Sequence, residues 1–220
     1  MKRTQTRATA ERHALMETLK RAAEPINLEV RVVGTPKAAA AAIARKVVTT
    51  PTEWGGPRQV CAWNHRLIDS LALESVLSDH EVSLITSATF FPPRAPAVTR
   101  EQRETLRLGI IDSFVGVTAA DFCVADTATL VLRTRPGQPR SMSLVPSQHI
   151  AVITVDQVLA DLKELYAHLR WGKAPQPADL TTCMTFVSGP SKTADIEATL
   201  VHGAHGPRAV LLIVIDDSNT

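Results

Sequence analysis

Apolar positions along this chain alternate between a helical period and short β-branched runs. Residues 9–23 place Leu15, Met16 and Leu19 on one helical face, with Pro25 just beyond. Residues 28–33 (LEVRVV) read as a strand. Pro36 then opens an Ala-rich helix to about residue 48, proline being favourable in a first turn. Residues 59–63 and 82–86 read as strands flanking a helix over 67–77. A Pro-rich connection at 91–96 leads to Thr99, which with Gln102 forms a Thr-x-x-Gln capping-box pattern opening a helix to about Asp112. Strands are expected at 114–117, 123–125, 129–133 and 150–155. Asp156 is expected to cap a helix carrying Val158, Leu159, Leu162, Leu165, Tyr166 and Leu169 at helical spacing. After a Gly/Pro-rich loop at 171–179, residues 183–187 and 209–215 are expected to close the sheet. The last of these, AVLLIVI, is apolar on both faces, as a central strand would be.

This alternation predicts an α/β fold with one open, mostly parallel sheet and helices on both faces. In such folds ligands sit beyond the carboxyl ends of the strands, at a switch point. A single domain over residues 1–220 is expected, residues 1–24 holding an N-terminal helix that packs at its periphery.

Composition narrows the function classes. With 220 residues, 45% hydrophobic and 21% charged, the chain has enough material for a sizeable core. A net charge of +2, with no basic stripe interleaved with aromatics, argues against a nucleic-acid surface. No apolar run approaches the roughly 18–20 residues that span a bilayer, so no membrane insertion is expected. The N-terminal stretch lacks the apolar core of a signal peptide, and the reading is a cytoplasmic protein. Three separated cysteines (Cys61, Cys123, Cys183) without a C-x-x-C fit reduced thiols. An iron–sulfur cluster normally takes four protein ligands, so none is expected on this chain.

Several segments carry candidate chemistry. Residues 188–207, SGPSKTADIEATLVHGAHGP, follow an apolar run and read as strand, turn and helix start. Ser191 is the expected N-cap, with Lys192 and Thr193 beside the first-turn N–H groups, an arrangement suited to a carboxylate or phosphate. The alternative is that Ser191 only caps the helix while Asp195 and Glu197 complement its dipole. His202 and His205 lie three apart in a Gly/Pro-rich turn, so a metal site is not expected, while His205 stands as a ligand-binding candidate. Asp126, in Ala-Asp-Thr-Ala-Thr, is a candidate acid/base or a turn residue bonding backbone N–H groups. Arg140 is the best candidate for bidentate carboxylate recognition, with Ser143 lining the same pocket. His149 precedes an apolar strand as a half-buried histidine, and Arg133 and Arg135 read as a solvated edge. Cys123 and Cys183 read as small hydrophobes within strands. No Walker A loop, G-x-G-x-x-G or G-x-S-x-G occurs.

The blocks at 116–132 (GVTAADFCVADTATLVL), 139–150 (PRSMSLVPSQHI) and 188–207 together resemble the signature of the lactate-utilisation (LUD) domain family, in its protein C branch. The resemblance implies a fold like that of the sugar-phosphate isomerase and CoA-transferase superfamily. It implies a cluster-free subunit of an L-lactate oxidation system, working beside iron–sulfur partner subunits, with a small anionic ligand. The alternatives are a stand-alone enzyme or binding protein for a sugar-phosphate or CoA-type ligand, in which Asp126 or Glu197 does the catalytic work, and a non-catalytic assembly factor. Related sequences carry glycine where this one has Ala128. That position is expected to need a positive φ or a close backbone approach.

Overall fold

The computed structural model describes residues 7–52, 55–90, 98–171, 183–194, 200–203 and 205–217. Six parallel strands form the central sheet, in the order β1 (Leu28–Val33), β12 (Ala209–Ile215), β7 (Gln148–Thr154), β4 (Val115–Ala119), β2 (Gln59–Ala62) and β3 (Ser83–Thr86). Period-two burial divides their side chains between two cores. Val115, Val117 and Ala119 of β4, with Leu211, Ile213 and Ile215 of β12, meet α2 (Pro36–Thr49), α3 (Arg66–Asp69) and α4 (Leu73–Ser78). Val210, Leu212 and Val214 face the other way, toward α1 (Thr9–Ala23), α5 (Arg100–Asp112) and a second sheet. α1 buries Met16, Leu19 and Ala23 in that core. Among the described residues no helix is long and apolar enough to cross a membrane.

The second sheet runs β8 (Val158–Leu159), β5 (Phe122–Val124), β6 (Thr129–Arg133), β9 (Met184–Val187), with β5–β6 and β6–β9 antiparallel. Its outer face carries α6 (Leu162–Trp171), whose Leu165 is buried with Val124, Val131 and Leu159.

The structure corrects four local expectations. The helix over 67–77 is two short helices, because Ala72 adopts φ +48 and turns the chain between them. Val158 and Leu159 pair with β5 as a strand, and α6 begins after Asp161, whose carboxylate accepts the Glu164 N–H at 2.8 Å. Asp156 instead pairs with Arg12 at 2.9 Å. The run at 183–187 joins the second sheet as its edge, not the parallel sheet. No helix starts at Ser191: β10 (Lys192–Ala194) and β11 (Leu200–His202) form an antiparallel hairpin. The Ser191 N–H donates to Pro207 O and its carbonyl accepts from Gly203, so cross-strand partners take the groups a helix start would have left open. The Pro-rich connection at 91–96, residues 172–179, Asp195 and Glu197 lie outside the described residues.

Candidate functional site

The connections from β2 and β4 leave in opposite directions, β2 onward to β3 and β4 onward to β7. Their carboxyl ends therefore frame the switch point of the parallel sheet, the position where open α/β sheets bind ligands. Trp63, Asn64 and His65 follow β2, Ala120 and Asp121 follow β4, and Ser87 follows β3.

The segment after β6 is tied across this end. The Trp63 indole N–H donates to Pro139 O at 2.9 Å, the residue before Arg140. The Asn64 N–H donates to Ser87 Oγ at 2.7 Å, and Gln138 Nε2 donates back to Asn64 O at 3.2 Å. Asp121 gathers two arginines: Arg133 Nε at 2.9 Å and Arg135 Nη2 at 2.5 Å, while the Arg133 N–H donates to its second oxygen at 2.8 Å. Arg135 Nη1 also reaches Arg133 O and Gln138 Oε1. Burial pushes the Asp121 carboxyl up, but the hydrogen bond and charge of Arg135, joined by Arg133, outweigh it and hold the group below its ordinary value. These arginines are thus not the solvated edge the sequence suggested. Each carries at most a quarter of its side chain in solvent.

Arg140 opens a 3-10 turn, Arg140–Ser143, in which the buried Ser143 hydroxyl donates to Arg140 O at 2.9 Å. The exposed Arg140 guanidinium reaches Cys183 Sγ at 3.6 Å, and Cys183 O accepts the Thr134 N–H. Cys183 is half-buried at the head of β9, not a core residue inside it. Arg133, Arg135 and Arg140 thereby surround one end of the second sheet with Asp121. The His65 ring accepts the Leu67 N–H on Nδ1 at 3.1 Å. Burial lowers its pKa, against the raising influence of Asp121, so the ring is neutral with its proton on Nε2.

The remaining predicted residues lie elsewhere. Ser191 contacts Pro207, and the Arg208 N–H donates to Ser147 O just ahead of β7, so this segment sits at the amino ends of β12 and β7. Lys192 and His205 are exposed there, and Thr193 pairs with Val201 in the hairpin. Asp126 is exposed at the tip of the β5–β6 hairpin, the end opposite Asp121 and Arg133. At that tip Thr129 Oγ1 and Ser188 Oγ share a hydrogen bond of 2.8 Å. Arg140 and Ser188 thus flank β9 from opposite ends, Cys183 and Ser188 being five residues apart, about 16 Å of extended chain. The structure joins Arg140 to the switch point and Ser191, Lys192 and His205 to the amino ends.

A third polar pair is internal. His149 is 1% exposed, with Nε2 at 2.8 Å from Thr118 Oγ1 and no partner for Nδ1. Burial pushes its pKa down to about 4. It pairs in register with Gly116, over which the 139–147 segment closes. Among the described residues no group of three or more His, Cys, Asp or Glu is placed to hold a metal ion. Sequence reasoning gave no role to His65 or Asp121 and read Arg133 and Arg135 as a solvated edge. The available signal was that each lies at or just past the end of a predicted strand.

Comparison with known proteins bears on this geometry. The LUD domain model matches residues 16–215. Lactate utilization protein C of Shouchella clausii is 33% identical over 162 residues, 74% of this chain and 64% of that protein. Its counterpart in Halalkalibacterium halodurans is 32% identical over 160 residues, 73% of this chain and again 64% of the relative. The chain thus spans just under two thirds of the length of these curated relatives. A crystal structure of a DUF162 family protein from Deinococcus radiodurans superposes with a TM-score of 0.54 at 17% identity, covering 93% of this chain and 98% of that one. That likeness supports the α/β fold.

Proposed function

The chain belongs to the LUD domain family, and from that membership we propose that it serves L-lactate utilisation as a cluster-free subunit beside iron–sulfur partner subunits, binding a small carboxylate. The observation that carries the reading is the family match over residues 16–215, joined by relatives named for lactate utilisation. Oxidising a 2-hydroxy acid releases two electrons that a carrier must accept. An iron–sulfur carrier needs thiolates, usually four. This chain has three cysteines, and burial pushes the Cys61 and Cys123 thiols up to about 12. On this reading the clusters sit on partners, and the chain contributes the anion site, working in the cytoplasm.

The test is made in the native host. Deleting the gene is expected to abolish growth on L-lactate as sole carbon source, with restoration by the wild-type copy. The tagged chain, captured at low salt, is expected to bring iron–sulfur subunits with it. Normal growth of the deletion strain, or full lactate oxidation by purified partners without this chain, overturns the reading.

A further inference from the structure

Independently of that reading, we propose that the outer face of the second sheet, between α6 and the edge strand β9, docks an acidic amphipathic helix of a partner protein.

Burial is the first argument. Leu162, Leu165, Tyr166 and Leu169 form one apolar stripe along α6. Only Leu165 is buried, against Val124, Val131 and Leu159. Leu162, Tyr166 and Leu169 are 52%, 57% and 41% exposed. At roughly 100° per residue these three project on one side of Leu165, and Glu164 and His168 on the other. Glu164 pairs with Arg7, which also donates to Val158 O of β8, so that side of the helix looks toward β8. The exposed stripe therefore looks toward the opposite edge of the sheet, β9. There Phe186 pairs in register with Val131, shares its face, and is 50% exposed. Single exposed apolar side chains are ordinary, but four gathered on one face mark an interaction surface. β9 itself, reading MTFV, has neither the charge nor the proline that guards a free edge.

Charge selects the occupant. By the same helical rotation, Lys163 and Arg170 flank the stripe on its solvent side, and both are exposed. The acids of α6 are engaged elsewhere: Asp161 accepts the Glu164 N–H, and Glu164 accepts the Ala160 N–H besides pairing with Arg7. Arg133 adds a cation on this face, pairing in register with Met184 and lying 6.0 Å over the Phe122 ring. Its Nε holds Asp121, and among the described residues neither Nη has a hydrogen-bond partner. Phe122 meets His168 at 5.6 Å, which puts Arg133 toward the carboxyl end of α6, beside Arg170. Asp126 lies at the other end, its N–H donating to Ala160 O. A helix with apolar residues three and four apart fits the stripe, and acids on its flanks answer these cations. A second copy of this chain would set the same cations against their equivalents. An anionic lipid surface calls for about four to eight clustered cations, more than Arg133, Lys163 and Arg170 supply.

Site-specific photo-crosslinking of the full chain in its native host tests the assignment. p-Benzoylphenylalanine is placed at Phe186, at Leu162 and, as a control on the other side of the molecule, at Glu74 on α4. Phe186 and Leu162 are expected to cross-link to another protein through a peptide that is acidic and has apolar residues at helical spacing, and Glu74 is not. The double variant Lys163→Glu, Arg170→Glu is expected to lower the Phe186 yield about tenfold with an unchanged thermal midpoint. A cross-link to a second copy of this chain, to its own residues 172–182, or to a neutral or basic peptide overturns the proposal, as does no cross-link at all. Co-sedimentation of the purified chain with phosphatidylserine vesicles, lost in the same double variant, overturns it in favour of a membrane surface. Yield that survives the double charge reversal overturns the role of charge. None of these outcomes depends on growth on lactate.

Discussion

His149 makes the fold sensitive to acid through one fully buried ring. It is neutral in the fold, with a pKa near 4, against an unfolded value of about 6.5. Above the unfolded value neither state binds the proton and the full contribution is present. Between the two values only the unfolded chain is protonated, so stability falls as pH drops through that window. The expected loss is about 3 kcal/mol by pH 4. Urea denaturation at several pH values should show this slope in the wild-type chain and a flatter one in His149→Gln. Had the ring been half-buried, as its place ahead of an apolar strand suggested, the slope would be shallow. Ala128 shows the opposite case, a residue whose backbone was legible in advance. It adopts φ +47 with no exposed surface, the left-handed geometry expected from the glycine of related sequences.

At the scale of elements, the predictions that held rested on signals contained within a few residues. The bounds of α1, β1, β6 and β12 agree with their apolar periods, and α5 begins where Thr99 and Gln102 complete a reciprocal capping box at 3.1 and 2.9 Å. Thr99→Ala is expected to cost about 1 kcal/mol, read as a lowered denaturation midpoint with an unchanged slope. Elements whose identity depended on a distant partner were misread. Val158 and Leu159 are spaced for a helix, yet pairing with Cys123 and Val124 makes them a strand. Ser191 has the chemistry of an N-cap, yet its backbone is claimed by Pro207 and Gly203. Local propensity is weak enough for such pairings to override it.

At the scale of the whole molecule, the seating of the turn Arg140–Ser143 on the parallel sheet depends on one missing side chain. A Cβ at Gly116 would lie 1.8 Å from Met142 O, a backbone atom in the turn that carries Arg140 and Ser143. Gly116→Ala should therefore force that turn off β4, costing about 3 kcal/mol and lowering the thermal midpoint by several degrees. A near-neutral result would show that the turn tolerates displacement.

The chain's own order of residues determined its α/β class, most of its element bounds and its family, because periodicity, capping and motif matches are read over short windows. Tertiary structure decided where the polar residues went. Asp121 follows β4, Trp63 and Asn64 follow β2, and the stretch from Arg133 to Pro139 ends β6 and leaves it; these three meet because β2 and β4 are neighbours whose chains depart in opposite directions. Ser191 and Lys192, which the motif grouped with Arg140, lie at the amino ends instead because β9 separates them. Strand order is set by burying apolar faces across the whole sheet, and no local window contains that information.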